Sequence, residues 1–424
     1  MMKETVTRRK REKLERMNNR EQMGHSESFN IEEAVYLFRL IQSALMKVPA
    51  EDKPASLSWD ALYQLSTRGA VAGISYYGIE QLKMKLPKDV DDKWRRERDW
   101  IIYKQICFEA EREEIIRTLM EKGISCLPFK GVRLLNDYPE AGMRDMVDND
   151  ILYGTAPCTS KEDRTIQVQG GNWKAQRKVF PREKEIVRAV MCERGYLEEK
   201  PACDYHEEYL KKPFFNFEMH QRLAGPGIAY NYYEDSWRFA IQDPKHLHLF
   251  SMRNEDEYIQ LFAHEYGHFM RCDSKLRFLV DIHVFLESKS KQMDWDYVRG
   301  ELKKLGLVEF ERRLRELSET LFLKRGLSPD QKELLSFLIE KANNENSEEN
   351  RIKGKTLLLS SRGNNKLRYI WNRICIPESE CRAYYPLVYR HRWLMPLLVL
   401  YRLGKGLILE RRKFLIELRS LWKM

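Results

Sequence analysis

The chain has 424 residues, with 74 Lys and Arg against 64 Asp and Glu, a net charge of +10. Its 43% hydrophobic and 33% charged residues fit a soluble globular protein of two or three domains. The surplus of positive charge favours anionic partners without choosing among nucleotide, nucleic acid and acidic lipid. Eight cysteines include no CxxC pair, which argues against a zinc knuckle or a disulfide framework and for reduced thiols.

Residues 1–28 read as a charged, disordered lead-in with a basic cluster at Arg8, Arg9, Lys10 and Arg11. The stretch has no apolar h-region, so no secretory signal is expected and the chain is placed in the cytoplasm. Residues 29–122 carry apolar positions at helical spacing, as in IEEAVYLFRLIQSAL, and end in one long amphipathic helix that stops at Gly123.

At residue 124 the period changes. Ile124–Phe129 suits a buried strand, and residues 130–146 suit a turn with a short helix. Val147–Tyr153 is a second strand. Residues 154–182, rich in Gly, Thr and Lys, read as an insertion or mobile loop. A helix follows to Tyr196, and Pro213–Leu223 alternates as a third strand. Residues 123–242 thus form a compact α/β unit inside a mostly helical chain, an α+β fold. Residues 243–345 read as a helical domain throughout, and 346–424 as a helical, basic-aromatic region. Within 385–424 an apolar run is interrupted by Pro396, Arg402 and Lys405, so no transmembrane span is expected. It is expected to pack on the protein's own core, with peripheral contact to an acidic membrane surface as the alternative.

The chemistry concentrates in the α/β unit. Asp148 and Asp150 are i and i+2 in a strand, which turns both carboxylates to one face about 6–7 Å apart. Such a pair repels itself unless a cation joins it, and Mg²⁺ prefers hard oxygen ligands. Glu218, on the next strand, is the third candidate and would complete a two-metal site for in-line phosphoryl chemistry. Gly131 marks where the first strand ends and a phosphate can approach the backbone, with Lys130 and Arg144 as phosphate-pairing cations.

A competing motif lies downstream. His264-Glu265-Tyr266-Gly267-His268 fits HExxH, in which two histidines one turn apart hold zinc and the glutamate is general base. The extended form fails, because Arg271 and Ser274 stand where the further Gly and His belong. Glu287 or His283 would have to supply the third ligand.

The run LPFKGVRLLNDYPEAGMRDMVDNDILY, with FNFEMHQRL downstream, resembles the uncharacterised bacterial nucleotidyltransferase family of the DNA polymerase β-like superfamily. The matching positions are Lys130 and Gly131, Tyr138 and Pro139, Arg144, Asp148 and Asp150, then Glu218 and His220. A second pattern matches at Ala263, His264, Tyr266 and His268, followed by Arg277 and Asp281. On this resemblance Glu265 merely fills a variable position and HExxH arises by accident. The resemblance implies a small mixed-sheet nucleotidyltransferase core with helical flanks. It further implies an NTP substrate, Mg²⁺ at Asp148, Asp150 and Glu218, nucleotide contacts from Lys130, Gly131 and Arg144, and His220, His264, His268, Arg277 and Asp281 near the substrate. The acceptor is not specified. Two departures, Asn149 between the aspartates and the 154–182 insertion, leave a catalytically impaired nucleotide- or partner-binding module as the alternative, with the zinc peptidase third.

Overall fold

The computed structural model describes residues 30–83, 86–155, 180–199, 205–225, 227–271, 273–343, 381 and 385–408. Among the described residues four helices come first: α1 (Ile31–Met46), α2 (Trp59–Arg68), α3 (Ala72–Ile79) and the 34-residue α4 (Lys88–Glu121). Asn30 and Glu33 cap α1 reciprocally, each side chain accepting from the other's backbone N–H at 2.9 Å. The chain leaves α4 through Gly123 at φ 77°, a left-handed turn that costs glycine little.

A five-stranded sheet follows, built from β1 (Ser125–Pro128), β2 (Asn149–Gly154), β3 (Leu197–Glu199), β4 (His206–Lys211) and β5 (Phe215–His220). Its order is β1-β2-β5-β4-β3. The central pair, β2 and β5, is parallel, and the other pairs are antiparallel. The short α5 (Gly131–Leu134) follows β1, and helix α6 (Phe180–Glu193) lies in the crossover between β2 and β5.

Strand alternation divides the sheet into two unlike faces. Ile151, Tyr153, Tyr209, Phe217 and Met219 are buried with Phe108 and Ile115 of α4 and with Val187 and Met191 of α6. The opposite face carries Asp150, Glu218 and His220, with Leu152 joining the larger core. That core runs from Ala34 to Ile339. It unites α1–α3 with α7 (Asn254–Arg271), α8 (Arg277–Lys289), α9 (Trp295–Leu305), α10 (Val308–Phe322) and α11 (Pro329–Asn343). Phe38 of α1 meets Phe322 of α10 edge-on at 5.5 Å, so the early and late helices share one interior.

The α+β architecture is as expected, with differences in detail. Two strands, β3 and β4, stand where no element was expected. In β4 the core-facing Glu207 is buried, held by the Tyr153 hydroxyl at 2.8 Å, Gln221 at 2.8 Å and Lys184 at 2.6 Å. A charged residue on the apolar face hides the alternation that marks a strand. Residues 243–345 are not helical throughout, because β7 (Phe250–Met252) pairs with β6 (Ala240–Gln242) as a short hairpin. Cys126 N–H donates to the His248 carbonyl at 2.8 Å, which fastens this segment to the edge of β1. Most of the expected insertion, 156–179, lies outside the described residues, as do the lead-in and residues 344–380. The C-terminal pair, α12 (Pro386–Arg390) and α13 (Met395–Ile408), gathers its own small cluster around Cys381 and Leu398. Of the cysteines described, Cys107, Cys126, Cys192 and Cys381 are free.

Candidate active site

Register creates the site. β2 and β5 run side by side with Asp150 opposite Glu218 and Leu152 opposite His220. Neighbouring strands are about 4.8 Å apart, so the two carboxylates emerge from the same face as direct neighbours. β4 lies on the far side of β5 and sets His206 opposite His220.

Lys130 arrives from the end of β1. Its backbone sits at φ 54°, ψ −129°, a conformation that side chains rarely adopt and that costs about 1–3 kcal/mol. The result is a largely buried ammonium 2.6 Å from Asp150 Oδ1, its side chain 12% exposed. His220 Nε2 lies 2.8 Å from that same oxygen and 3.2 Å from Glu218 Oε2. Asp148 is not in the strand. β2 begins at Asn149, and Asp148 stands at its entrance, partly buried and close enough for its carboxyl to feel Asp150, Glu218, Lys130 and Arg277.

The charges at this face compete. Burial opposes ionisation of Asp150, but the Lys130 ammonium and the His220 hydrogen bond outweigh it and hold the carboxyl well below its ordinary value. Burial likewise opposes ionisation of Glu218, and its hydrogen bond to His220 brings the net shift down. His220 is raised, its bonds to Asp150 and Glu218 overcoming burial and the repulsion of Lys130. Asp148 has no such cation at contact. Burial, then the charges of Asp150 and Glu218, push it up to about 6. The cluster therefore carries more negative charge than its own cations match. Among the described residues His206, Glu218 and His220 also form a trio whose ligand atoms lie within 4.8 Å of one another. The donor set suits a divalent cation, with carboxylate oxygens for Mg²⁺ and imidazoles at its rim.

The other anticipated residues divide in two. His264 joins the site: burial, Lys130 and His268 hold its imidazole well below its ordinary value, hence neutral. His268 Nε2 lies 3.1 Å from His264 Nε2, and its Nδ1 lies 2.9 Å from Asp273. Arg144, Arg277 and Asp281 form an adjoining cluster, near enough that Asp148 feels the Arg277 charge. Arg144 grips Asp281 through Nε at 2.8 Å and Nη2 at 3.0 Å, and the Tyr138 hydroxyl donates to Asp281 Oδ1 at 2.7 Å. Arg277 donates to the Asp145 carbonyl and lies 3.9 Å from Asp281. Arg144 is only 6% exposed, and its described contacts are all within the protein. Gly131 is bare for a local reason: a Cβ there would stand 2.7 Å from Arg144 Nη1.

HExxH assembles only in part. His264 and His268 share a face, but neither belongs to the three-ligand group found among the described residues. His283, one proposed third ligand, is stacked on Phe322 at 3.7 Å. Asn149, the departure between the aspartates, turns to the opposite face. There its Oδ1 accepts from Arg112 Nη1 of α4 at 2.8 Å, while its Nδ2 has no partner. Sequence reading missed both Arg112 and His206. The only available signal for His206 was its place in the unread strand β4.

Fold and site together define an α+β protein with a buried acid–base cluster at the centre of a mixed sheet. The chain belongs to the uncharacterised nucleotidyltransferase family, whose model matches residues 55–322, more than half of the chain and every site residue named above. Membership supports nucleotidyl transfer as the general activity. No curated protein and no solved structure matches the chain.

Proposed function

We propose that the protein transfers a nucleoside monophosphate from a nucleoside triphosphate to an acceptor and releases pyrophosphate, with Mg²⁺ held by Asp148, Asp150 and Glu218. The observation that carries this reading is the parallel register of β2 and β5, which sets Asp150 beside Glu218 with Lys130 on the same carboxylate. The unmatched negative charge that raises Asp148 supports a divalent cation there. When bound, Mg²⁺ would neutralise charge on the triphosphate and on the departing pyrophosphate.

The chain's own groups have distinct tasks in this scheme. Glu218 stays ionised and would accept the proton of an acceptor hydroxyl. His220 bonds both Asp150 and Glu218 and fixes their orientation. Lys130 brings a buried ammonium to the triphosphate, anchored to Asp150 beforehand. His264, neutral beside Lys130, can accept a hydrogen bond where an imidazolium would repel that lysine. Arg144 and Gly131 are better read as positioning residues behind Lys130 than as phosphate ligands. The polymerase β-like ancestry and the bacterial setting rest on the sequence resemblance. The impaired-module alternative has less support, because Asn149 points away from the carboxylates and bonds Arg112.

Pyrophosphate release from ATP with Mg²⁺, measured for the parent and for Asp148→Ala/Asp150→Ala, tests the reading. Release should fall to background in the double variant. Equal release in both rejects the site. Metal-dependent ATP binding without any pyrophosphate favours the non-catalytic module.

A further inference from the structure

The C-terminal helices carry an apolar surface that the rest of the described chain does not cover. Leu387, Trp393, Leu397, Leu400 and Tyr401 are between 59% and 74% exposed, among the most open large apolar side chains of the described residues. On α13 the exposed positions 397, 400 and 401 follow i, i+3, i+4 and define one face, while Leu398 turns inward toward Cys381. Met395 packs with Tyr385, Val388 and Tyr389 on that inward side. Exposed apolar surface grouped in this way marks an interaction site.

Charge decides among occupants. From residue 381 to residue 409 there is no Asp or Glu, and there are five Lys or Arg: Arg382, Arg390, Arg392, Arg402 and Lys405. Trp and Tyr favour the boundary between water and hydrocarbon, where the ring body is apolar and its polar edge is wet. No helix among the described residues is long and apolar enough to cross a membrane. An apolar helical face with aromatic rings, in a stretch whose charged residues from 381 to 409 are all basic, fits an element lying flat in an interface.

We propose that α12 and α13 dock the protein on an anionic lipid surface, the apolar face entering the headgroup boundary and the arginines pairing with lipid phosphates. This is independent of the nucleotidyl-transfer reading and survives or fails without it. The docking element lies far along the chain from the carboxylate site, so it would set where the reaction happens rather than how.

Sedimentation of the full chain with vesicles tests it. Phosphatidylcholine vesicles containing phosphatidylglycerol should carry the protein down, pure phosphatidylcholine vesicles should carry much less, and high salt should release it. The combined variant Trp393→Ala/Leu397→Ala/Leu400→Ala/Tyr401→Ala changes only exposed side chains and should keep pyrophosphate release while losing vesicle binding at least about tenfold. Arg390→Gln/Arg392→Gln should weaken binding to the anionic vesicles about 25-fold, from roughly 1 kcal/mol per basic residue at a charged surface, and leave the neutral vesicles unaffected. No sedimentation with anionic vesicles overturns the proposal. So does undiminished binding by the four-alanine variant, which would assign the attraction to other basic segments. A parent that ignores vesicles but self-associates, with the same four changes yielding monomer in sedimentation velocity, assigns the face to a second copy instead.

Discussion

Two buried ionic clusters lie on the chain between Lys130 and Asp281, and they are built on different principles. In the Arg144–Asp281 cluster the buried carboxylate is fully matched: the Arg144 guanidinium grips it twice, a tyrosine hydroxyl fills the remaining position, and Arg277 stands 3.9 Å away. Tyr138 is raised well above its ordinary value by burial and by Asp281, so it stays a neutral donor. The Lys130–Asp150 cluster is unbalanced. It gathers three carboxylates, strains its lysine backbone, pushes Asp148 up to about 6 and leaves His220 Nδ1 without a partner. A balanced buried cluster is a fastening. An unbalanced one, kept at a cost in stability, marks the place where something else binds.

The difference can be tested by breaking each cluster. Asp150→Asn should reduce pyrophosphate release at least about 1000-fold, some 4 kcal/mol of barrier, while the protein still unfolds cooperatively; a variant that merely unfolds would make the site a fastening too. Asp281→Ala should act the other way round. It leaves a buried guanidinium uncompensated, and denaturant melts should show a loss of about 3 kcal/mol or more. Asp148→Asn should stabilise the metal-free protein. The folded carboxyl titrates at about 6, above its ordinary value of 3.8. The folded state therefore holds that proton more tightly, and the parent loses stability as pH rises through this window. The gain from Asn should be absent below pH about 4, grow between 4 and 6, and level at about 3 kcal/mol above. A pH-independent gain would contradict the charge imbalance. Arg112→Ala, on the apolar face of the sheet, should cost about 1–2 kcal/mol by stranding Asn149 without changing the rate. Smallest of all, Glu265→Gln should leave pyrophosphate release unchanged, and a loss of peptide hydrolysis on that substitution would restore the HExxH reading.

The sheet's centre was legible because its residues obey simple alternation. Glu218 sits between Phe217 and Met219, and Ile151 beside Asp150 faces the same way as they do, so alternation sets both carboxylates on one face. The parallel register that makes them neighbours was not readable, since it depends on the crossover through α6. β4 was hidden by Glu207, whose partners come from β2, α6 and the end of β5. With it went His206. Asn149 looked like damage to the core because its partner, Arg112, is 37 residues earlier on a helix. Arg144 looked like a phosphate ligand because sequence shows a cation near two aspartates and cannot show that a third, Asp281, has already claimed it.

Gly131 links the two clusters. It follows the strained Lys130 directly, and Arg144 presses against it so closely that one added carbon would collide with the guanidinium. A side chain at this position would therefore press on Arg144 and work against its grip on Asp281 of α8. The fastening and the reactive centre thus meet at one bare backbone position, where the room for a side chain is taken by the Arg144 guanidinium.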